Sequence, residues 1–504
     1  MTRKPTIVFF LALLFFAARP SHAHGSLKFV NGLWYDGTGF VKTTWCSVEN
    51  VFRTSCDGDA RVIDLGGRYV VPPLGDAHNH AFSDGQAFDE QRARFLGAGI
   101  FYVKNPNNTV RLTAPYRSKV NLPESVDVTY SNGGLTSTGG HPTQIYADML
   151  KRLPNWGAPD MEGEAYFSVD TLADVERKWP AISAGKPDFI KVYLEGARGL
   201  RPEVLDAVVT RAHGASLRVT AHATSARDFH EAVRAGVDEI AHLPLAPIDP
   251  LDADAAAAKK ITVVTTVLSH RPSGGVADLP ALHRANRAML KARGVRMALG
   301  VDDNRLVIDE LESVAALGVF TKAELVRFAV DETPRAVFPL RKIGRIADGY
   351  EASFIALDGN PLEDLRSLRK IQTRVKQGHV LEIEAPKRPV SEALLPIVMS
   401  KGVDAAIAEY RRLEREEPKD WDFAEKHLNQ FGYAMIQHGQ IQGAIAVFAL
   451  NVEKFPKSSN AYDSLGEAYM KAGDTANAIL NYEKSLALND RNDNARAMLN
   501  TLRR

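Results

Sequence analysis

The sequence predicts an α/β protein: a (β/α)8 TIM-type barrel, a small β-sandwich domain, and a C-terminal all-α repeat domain. Three observations lead to this prediction. Short apolar runs alternate with helical segments after His78, strand-and-turn sequence flanks that region on both sides, and similar residues recur every 34 positions near the C-terminus. A chain of 504 residues also exceeds what one hydrophobic core usually supports, so several domains are expected.

The first 23 residues are expected to be an export signal. Arg3 and Lys4 precede an apolar run, Ile7 to Ala18, and Ser21 to Ala23 form a small-x-small cleavage site. The run is too short to span a bilayer comfortably, so cleavage is favoured over an uncleaved anchor. We therefore expect an exported bacterial protein, periplasmic or secreted, with no stable membrane span after cleavage.

The charge composition argues against nucleic acid as a partner. The chain has 62 basic and 61 acidic residues, a formal net charge of +1, and no long basic run. Proteins that bind nucleic acid depend on an excess of positive charge facing the phosphates. No such excess is present here.

Residues 24–72 and 341–385 are expected to form the β domain from both flanks of the barrel. Both segments are rich in β-branched and aromatic residues, which Gly and Asn interrupt at turns. The first segment contains Cys46 and Cys56. Export would permit a disulfide, and the nine intervening residues could form a hairpin, but the sequence leaves open whether the two thiols pair.

Residues 73–340 are expected to form the barrel. The first strand ends at His78, and the other candidate strands are Ile100–Val103, Val126–Tyr130, Asp188–Tyr193, Leu217–Ala221, Glu239–Ala241, Ile261–Thr265 and Arg296–Val301. Helical segments such as Pro202–His213 lie between them. Eight βα units in roughly 265 residues match the usual size of this barrel.

Two histidines, His78 and His80, follow the first strand two positions apart. Both side chains therefore point to the same side of the strand end, where two imidazoles can hold a divalent ion such as zinc. In a barrel, the residues just past each strand become neighbours, so the remaining ligands are expected at later strand ends. The candidates there are Lys191, His222, His242 and Asp302. A buried, unpaired ammonium is costly, so Lys191 must be paired, depressed in pKa or chemically altered.

The order His-x-His, Lys, His, His, Asp resembles the metal-dependent amidohydrolase superfamily, in particular its imidazolonepropionase/prolidase-like branch. The resemblance extends from about Leu27 to Leu381 and includes a Gly-Asn-Pro-Leu-Glu-Asp turn at residues 359–364. The Ile-Lys-Val context of Lys191 resembles the members with a two-metal site. One departure is the lead-in to the first ligand pair, where Pro72 and Pro73 replace the commoner Pro-Gly.

The resemblance implies two Zn²⁺ ions per chain. His78, His80 and Asp302 would bind the more buried ion, His222 and His242 the more exposed one, and a carboxylated Lys191 would bridge both. The alternative is a neutral or paired Lys191 beside a single metal.

The resemblance also implies hydrolysis of an amide, peptide or cyclic amide bond in a small molecule or dipeptide. A metal-activated hydroxide would attack the carbonyl, and Asp302 would act as general base and then general acid. His141, in a Gly-Gly-His segment, resembles the family's segment near the substrate. Tyr193 faces the same way as Lys191 and is a candidate to polarise a carbonyl oxygen, although simple packing explains it as well.

Other functions stay open at this point. A lactone or phosphoester hydrolase would use the same ligands. A deaminase would use one metal and needs a further acid after the fifth strand, where residues 223–228 offer only Asp228. A binding or scaffold protein with a vestigial barrel is a less favoured alternative, because every expected ligand type is present.

Residues 402–504 are predicted to be helical, after a linker at 386–401. Three pairs of similar residues are set 34 positions apart, namely Gly432 and Gly466, Ala444 and Ala478, and Phe448 and Tyr482. This period resembles the tetratricopeptide repeat, which implies a protein partner or self-association through the helices.

The insert at residues 143–186, between the third and fourth predicted strands, is the expected determinant of specificity. It carries Trp156 and Trp179 and could form a lid or an oligomer contact. The sequence itself does not reveal the substrate.

Overall fold

The computed structural model describes residues 26–56, 58–83, 87–150, 161–196, 198–268, 278–303, 305–383, 387–437 and 439–503. The expected export signal and Trp156 lie outside these residues. Internal contacts divide the chain into two compact units, Met1–Ala385 and Pro386–Arg504. Among the described residues, no helix is both long enough and apolar enough to cross a membrane.

Ten short strands form the parallel part of the first unit. Three lie in one sheet, in the order Leu74–Asp76, Ile100–Asn105, Asp127–Tyr130. Seven lie in a second sheet, in the order Tyr166–Ser168, Gly134–Thr136, Ile190–Tyr193, Val219–His222, Glu239–Ala241, Thr262–Val264, Arg296–Ala298. All eight expected strands are present. The strands at Gly134–Thr136 and Tyr166–Ser168 were not predicted, because three residues are too few to show a period-two pattern.

Backbone hydrogen bonds connect the two parallel sheets at both sides. The N–H of Ala77 donates to the carbonyl of Leu299 at 2.8 Å, and the N–H of Asp188 donates to the carbonyl of Tyr130 at 2.8 Å. The carboxyl ends of the strands therefore face a common region, as the barrel prediction requires.

Helices follow most of these strands and cover their apolar side chains. They are Phe88–Gly97, Val110–Thr113, Thr143–Leu150, Leu172–Ala184, Pro202–Gly214, Ala226–Ala235, Pro250–Ala258, Leu279–Ala292, Val307–Ala316, Lys322–Arg327 and Thr333–Val337. Local sequence explains several of their ends. Thr171 and Asp174 form a capping box at the start of one helix, and Gly236, with a φ of 75°, ends another.

The expected β domain is present as one eight-stranded mixed sheet. Its strands are Leu27–Tyr35, Phe40–Val48, Val51–Arg53, Arg61–Asp64, Tyr69–Val71, Phe354–Leu357, Ile371–Lys376 and His379–Val380. The antiparallel pairing of Tyr69–Val71 with Phe354–Leu357 joins the two flanks, as predicted. Cys46 and Cys56 form a disulfide, which resolves the alternative that the sequence left open.

The strand Phe354–Leu357 serves two cores because successive side chains point to opposite faces. Phe354 and Ala356 pack in an aromatic cluster with Trp34, while Ile355 and Leu357 join the large core around the parallel strands. Burial on both faces makes this strand the structural link between the β domain and the barrel segment.

The second unit consists mainly of helices, as predicted, and also contains a short parallel pairing of Arg388–Pro389 with Trp421–Asp422. The helices are Val390–Lys401, Val403–Glu416, Glu425–Gln437, Ile441–Lys454, Ser459–Lys471, Thr475–Leu488 and Asp493–Leu502. A Cβ at Gly432 would lie 2.5 Å from the ring of Phe448, and one at Gly466 would lie 3.1 Å from the ring of Tyr482. The same glycine-aromatic contact thus occurs in both repeats, and it explains why those positions match.

Residues 386–401 differ from the expected linker, because most of them form the helix Val390–Lys401. Pro386, Pro389 and Pro396 occur in this segment, and proline inside a helix is generally unfavourable. Pro389 immediately precedes the helix, where its missing N–H costs little, and Pro396 is accommodated inside it. Val390, Leu394 and Val398 are buried in the apolar cluster of the helical unit, so packing outweighs the local helix-breaking tendency.

Candidate metal centre

The six predicted ligands lie together at the carboxyl ends of the parallel strands. Five of them line a cavity of about 400 Å³, namely His78, His80, Lys191, His222 and Asp302. The sixth, His242, is buried and in contact with the others through His222 and Asp302. The predicted substrate contacts, His141 and Tyr193, line the same cavity.

Asp302 occupies the centre of the group. Its Oδ1 lies 2.9 Å from Nε2 of His78 and 3.2 Å from Nε2 of His80, and its Oδ2 lies 3.8 Å from Nδ1 of His242. Burial would raise the pKa of this carboxyl, but the imidazoles of His78 and His242 hold it well below its usual range. The Asp302 carboxyl is therefore ionised near neutral pH.

Two of the site residues adopt left-handed backbone conformations. The φ angle is 59° at Asp302 and 76° at His242. Side chains other than glycine rarely adopt such angles, and outliers of this kind concentrate at functional sites, where they aim a side chain that would otherwise point elsewhere.

His78, His222 and His242 are neutral, which is the form of histidine that binds metals. Burial lowers the pKa of His78 to about 4 and lowers the pKa values of His222 and His242 well below their usual range. All three imidazoles are consequently neutral near pH 7, with one lone pair each.

Lys191 is fully buried beside these groups. Burial lowers the pKa of its ammonium to about 8, although the nearby carboxylates Asp302 and Glu239 oppose the shift. Among the described residues its Nζ has no hydrogen-bond partner, and it lies 5.4 Å from the centre of the Tyr193 ring. A buried amine with no hydrogen-bond partner has unused bonding capacity.

The donor set fits divalent metal ions. The ligand atoms of His78, His242 and Asp302 all lie within 4.8 Å of one another. Neutral imidazoles with one carboxylate are a donor combination that Zn²⁺ prefers in proteins. The site therefore contains residues that could hold a metal, as the sequence predicted.

Two glycines make this convergence possible. A Cβ at Gly300 would lie 2.7 Å from Cβ of His78, and one at Gly134 would lie 2.5 Å from the Tyr193 ring and 3.2 Å from Cγ of Lys191. Only a residue without a side chain fits at either place.

Three of the candidate ligands, His80, His222 and His242, each have a polar partner on one ring nitrogen. Ser83 Oγ lies 3.4 Å from Nδ1 of His80, and Thr266 Oγ1 lies 2.8 Å from Nδ1 of His242. The third partner, Glu195, places Oε2 3.0 Å from Nε2 of His222. Partners of this type orient metal-ligating imidazoles.

The predicted substrate contacts lie on the cavity wall. The ring of His141 stacks on that of His222 at 4.6 Å with an interplanar angle of 23°. Burial raises the pKa of Tyr193, so its hydroxyl stays protonated and can donate, while the Asn107 amide donates a hydrogen bond to the hydroxyl oxygen. Tyr193 can therefore offer a proton donor to a group in the cavity, and the ring of His141 lies on the cavity wall beside it.

Sequence reasoning missed four residues of this site. Glu195 carried a detectable signal, because Lys191, Tyr193 and Glu195 alternate along the end of one strand and so face the same side. Ser83, Asn107 and Thr266 lie in connecting segments without periodicity, and nothing in the sequence distinguished them from other loop residues.

The insert at residues 143–186 contributes directly to the cavity. Ile145 and Tyr146, on the helix Thr143–Leu150, line it. Trp179 is instead buried in the core, on the helix Leu172–Ala184. Part of the insert thus forms a wall of the site, and another part is ordinary barrel framework.

Known proteins resemble this chain over the same region. Ochratoxinase from Aspergillus niger is 31% identical over 289 residues, which cover 49% of this chain and 58% of the relative. The chain thus spans somewhat more than half the length of this curated relative. The cellulose synthase operon protein C of Escherichia coli K12 is 29% identical over 126 residues, or 25% of this chain and 11% of the relative. Together with the all-helical C-terminus, that match supports the tetratricopeptide-like region.

Solved structures share the fold. The crystal structure of A. niger ochratoxinase superposes with a TM-score of 0.60 at 20% identity, covering 71% of this chain and 95% of that one. An Xaa-Pro dipeptidase with bound methionine in its active site superposes with a TM-score of 0.59 at 19% identity, covering 71% and 100%. At these identities the likeness concerns the fold alone.

The family assignment depends on a longer match. The model of the amidohydrolase family matches residues 69–381, which is more than half of the chain and contains every ligand candidate described above. This protein belongs to the amidohydrolase family.

Proposed function

We propose that this protein hydrolyses an amide, peptide or cyclic amide bond in a small molecule, using two zinc ions held at the cavity. The observation that carries the proposal is the convergence of four histidines, Lys191 and Asp302 at the ends of five different strands. Relatives named ochratoxinase and Xaa-Pro dipeptidase support an amide or dipeptide substrate.

Each ion would have its own ligands in this proposal. His78, His80 and Asp302 would hold the inner ion, and Nδ1 of His222 and Nε2 of His242, which lie 2.9 Å apart, would hold the outer one. When bound, the two ions would lower the pKa of a water molecule and polarise the scissile carbonyl.

Lys191 would bridge the two ions after carboxylation. The neutral amine adds to carbon dioxide, and one proton leaves, so a buried cation becomes an anion. A depressed pKa of about 8 supports this step, because it makes the neutral amine accessible near neutral pH.

The chain's own groups would move the protons. Asp302 would take a proton from the attacking water and deliver it to the leaving nitrogen. Tyr193 would donate a hydrogen bond to the carbonyl oxygen as negative charge develops on it, and His141 would contact the substrate from the cavity wall. The hydroxyl of Tyr193 would be aimed by the amide of Asn107.

A deaminase is disfavoured by the position of Asp228. Its backbone N–H and carboxylate form a capping box with Ser225 at the start of the helix Ala226–Ala235. The acid that this alternative requires is therefore engaged in a helix cap. A lactone or phosphoester hydrolase is the second candidate, because the same donors would serve it.

We also propose that the mature protein is exported and that its helical repeats bind a protein partner or a second copy. The apolar segment before Ala23 supports the first statement. The match to the cellulose synthase operon protein C supports the second.

A substrate panel tests the proposal. Zinc-loaded protein is incubated with dipeptides, N-acyl amino acids, lactones and phosphoesters, and release of amine or acid is measured. We expect turnover of carbon-nitrogen bonds that a chelator abolishes. Turnover of lactones or phosphoesters alone would favour the second candidate, and no turnover in any class with zinc bound would contradict both.

A further inference from the structure

Glu195 lies where the strand Ile190–Tyr193 has just ended, two residues past Tyr193. Its side chain is 39% exposed at the edge of the site, and its Oε2 lies 3.0 Å from Nε2 of His222 and 3.3 Å from Nδ1 of His141. The predicted ligand set did not include it, and none of the proposed catalytic steps uses it.

The hydrogen bond to Glu195 determines which nitrogen of His222 carries the proton. A neutral imidazole has one N–H and one lone pair, and an ionised carboxylate can only accept. With Nε2 donating to Glu195, the lone pair of His222 must be on Nδ1. That nitrogen lies 2.9 Å from Nε2 of His242, on the side where the outer ion is proposed to bind.

We infer that Glu195 is a positioning residue that holds His222 in the Nε2–H tautomer and thereby prepares Nδ1 as a ligand of the outer zinc ion. This inference rests on the proposed function. A carboxylate behind a ligand imidazole both fixes the ring and raises the basicity of the ligating nitrogen.

The surroundings restrain the ring further. His141 stacks on His222 and shares the same Oε2 of Glu195, so the carboxylate connects two rings that already lie face to face. Rotation of His222 would break the hydrogen bond to Glu195 and separate Nδ1 from His242.

The geometry distinguishes Glu195 from a ligand of the outer ion. Nε2 of the His222 ring faces Glu195 and Nδ1 faces His242. The two neighbours therefore bind different nitrogens of one ring, and Glu195 acts through His222. The competing arrangement is a separate cation site of His141, Glu195 and His222, whose ligand atoms also lie within 4.8 Å of one another.

Zinc binding by the full chain tests the inference. Stoichiometry is measured by elemental analysis, and affinity is measured by competition with a chromophoric chelator, for wild type, Glu195→Ala and Glu195→Gln. We expect the alanine variant to bind the weaker zinc ion about 10- to 100-fold less tightly, which is the usual effect of losing such a partner. The glutamine variant should stay close to wild type, because its amide oxygen still accepts from Nε2.

A matched control is Glu203→Ala, which removes an exposed glutamate paired with Arg201 at 3.4 Å on a nearby helix. It should leave both affinities unchanged. Nitrogen chemical shifts of histidines labelled with ¹⁵N give a second measurement, since the Nε2–H tautomer of His222 should be lost in the alanine variant and kept in the glutamine variant.

The outcomes separate three cases. Equal zinc affinity in wild type and Glu195→Ala overturns the inference and leaves the proposed function intact. Equal losses in the alanine and glutamine variants also overturn it, because they indicate that the carboxylate binds a cation directly. A wild type that binds no zinc overturns the proposed function itself, and the inference with it.

Discussion

His78 and Asp302 are joined twice. The backbone N–H of Asp302 donates to the carbonyl of His78 at 2.8 Å, and the Asp302 carboxylate lies 2.9 Å from Nε2 of the same histidine. The first and last parallel strands of the barrel segment therefore present their site residues as one unit. A change at His78 should therefore affect Asp302, and a change at Asp302 should affect His78.

Replacing Asp302 with asparagine should abolish turnover while leaving zinc largely bound. Asparagine keeps the shape and one oxygen donor but cannot accept the proton of the attacking water, so we expect kcat to fall by about 10²- to 10⁴-fold. The neighbouring Asp303→Asn, which removes a partner of Arg305, serves as control and should keep its activity. Undiminished turnover in Asp302→Asn would exclude the proton-transfer role.

Replacing Lys191 with arginine should remove the bridge between the ions. A guanidinium stays protonated and cannot take up carbon dioxide, so we expect loss of one zinc ion per chain. Protein reconstituted with zinc and ¹³C-bicarbonate should show a carbamate carbon signal in wild type that is absent from the variant. The same signal in both proteins would place the carbamate elsewhere.

Introducing a side chain at Gly300 should disturb the first ligand. The new Cβ of Gly300→Ala would lie 2.7 Å from Cβ and 3.0 Å from the backbone N of His78. We expect weaker zinc binding and a loss of about 1–3 kcal/mol in the free energy of unfolding, as for other overpacked sites. Gly214→Ala is the control, because nothing lies within 4 Å of its Cβ position.

Removing the hydroxyl of Tyr193 should slow the reaction without releasing the metal. Tyr193→Phe keeps the ring beside Lys191, and loss of one donor to a developing oxyanion costs about 10²- to 10³-fold in kcat. Replacing Asn107 with alanine should have a smaller effect in the same direction, since it only aims that hydroxyl. A rise in KM with kcat unchanged would assign Tyr193 to ground-state binding instead.

The buried ion pair between Lys376 and Asp127 should matter for stability alone. Both side chains are fully buried and lie 2.7 Å apart, and Arg341 contacts the same carboxylate at 2.8 Å. Asp127→Ala leaves the buried ammonium of Lys376 without its carboxylate partner, so we expect about 3–5 kcal/mol less stability in denaturant unfolding. The exposed pair of Arg53 and Asp348 is the comparison, and Asp348→Ala should cost less than about 1 kcal/mol.

The proximity of the candidate ligands was predictable because barrel topology places strand ends together whatever their separation in sequence. His78, His222 and Asp302 each follow an apolar run, and that position alone identified them. Glu195 lies two positions after Tyr193, which lies two positions after Lys191. Extending this spacing past the end of the strand Ile190–Tyr193 would have identified it.

Other features had no comparable signal. Thr266 and Asn107 act through loop geometry, which depends on the folded backbone and not on a residue pattern. The helix Val390–Lys401 lies in the predicted linker. Its buried apolar residues pack in the helical unit, and that packing is visible only in the folded structure. Proline disfavours a helix in this segment, but burial of the apolar side chains stabilises the helix nevertheless.

The sheet that joins both flanks of the barrel segment has a consequence for how the chain folds. Val71 pairs with Ile355, which lies 284 positions later, so the strand Tyr69–Val71 lacks one of its two neighbours until most of the chain has been synthesised. Contacts this distant in sequence form late, because closing so long a loop loses chain entropy before any contact compensates for it. The strands translated first therefore complete their sheet last, and until then they present an open edge that other chains can pair with.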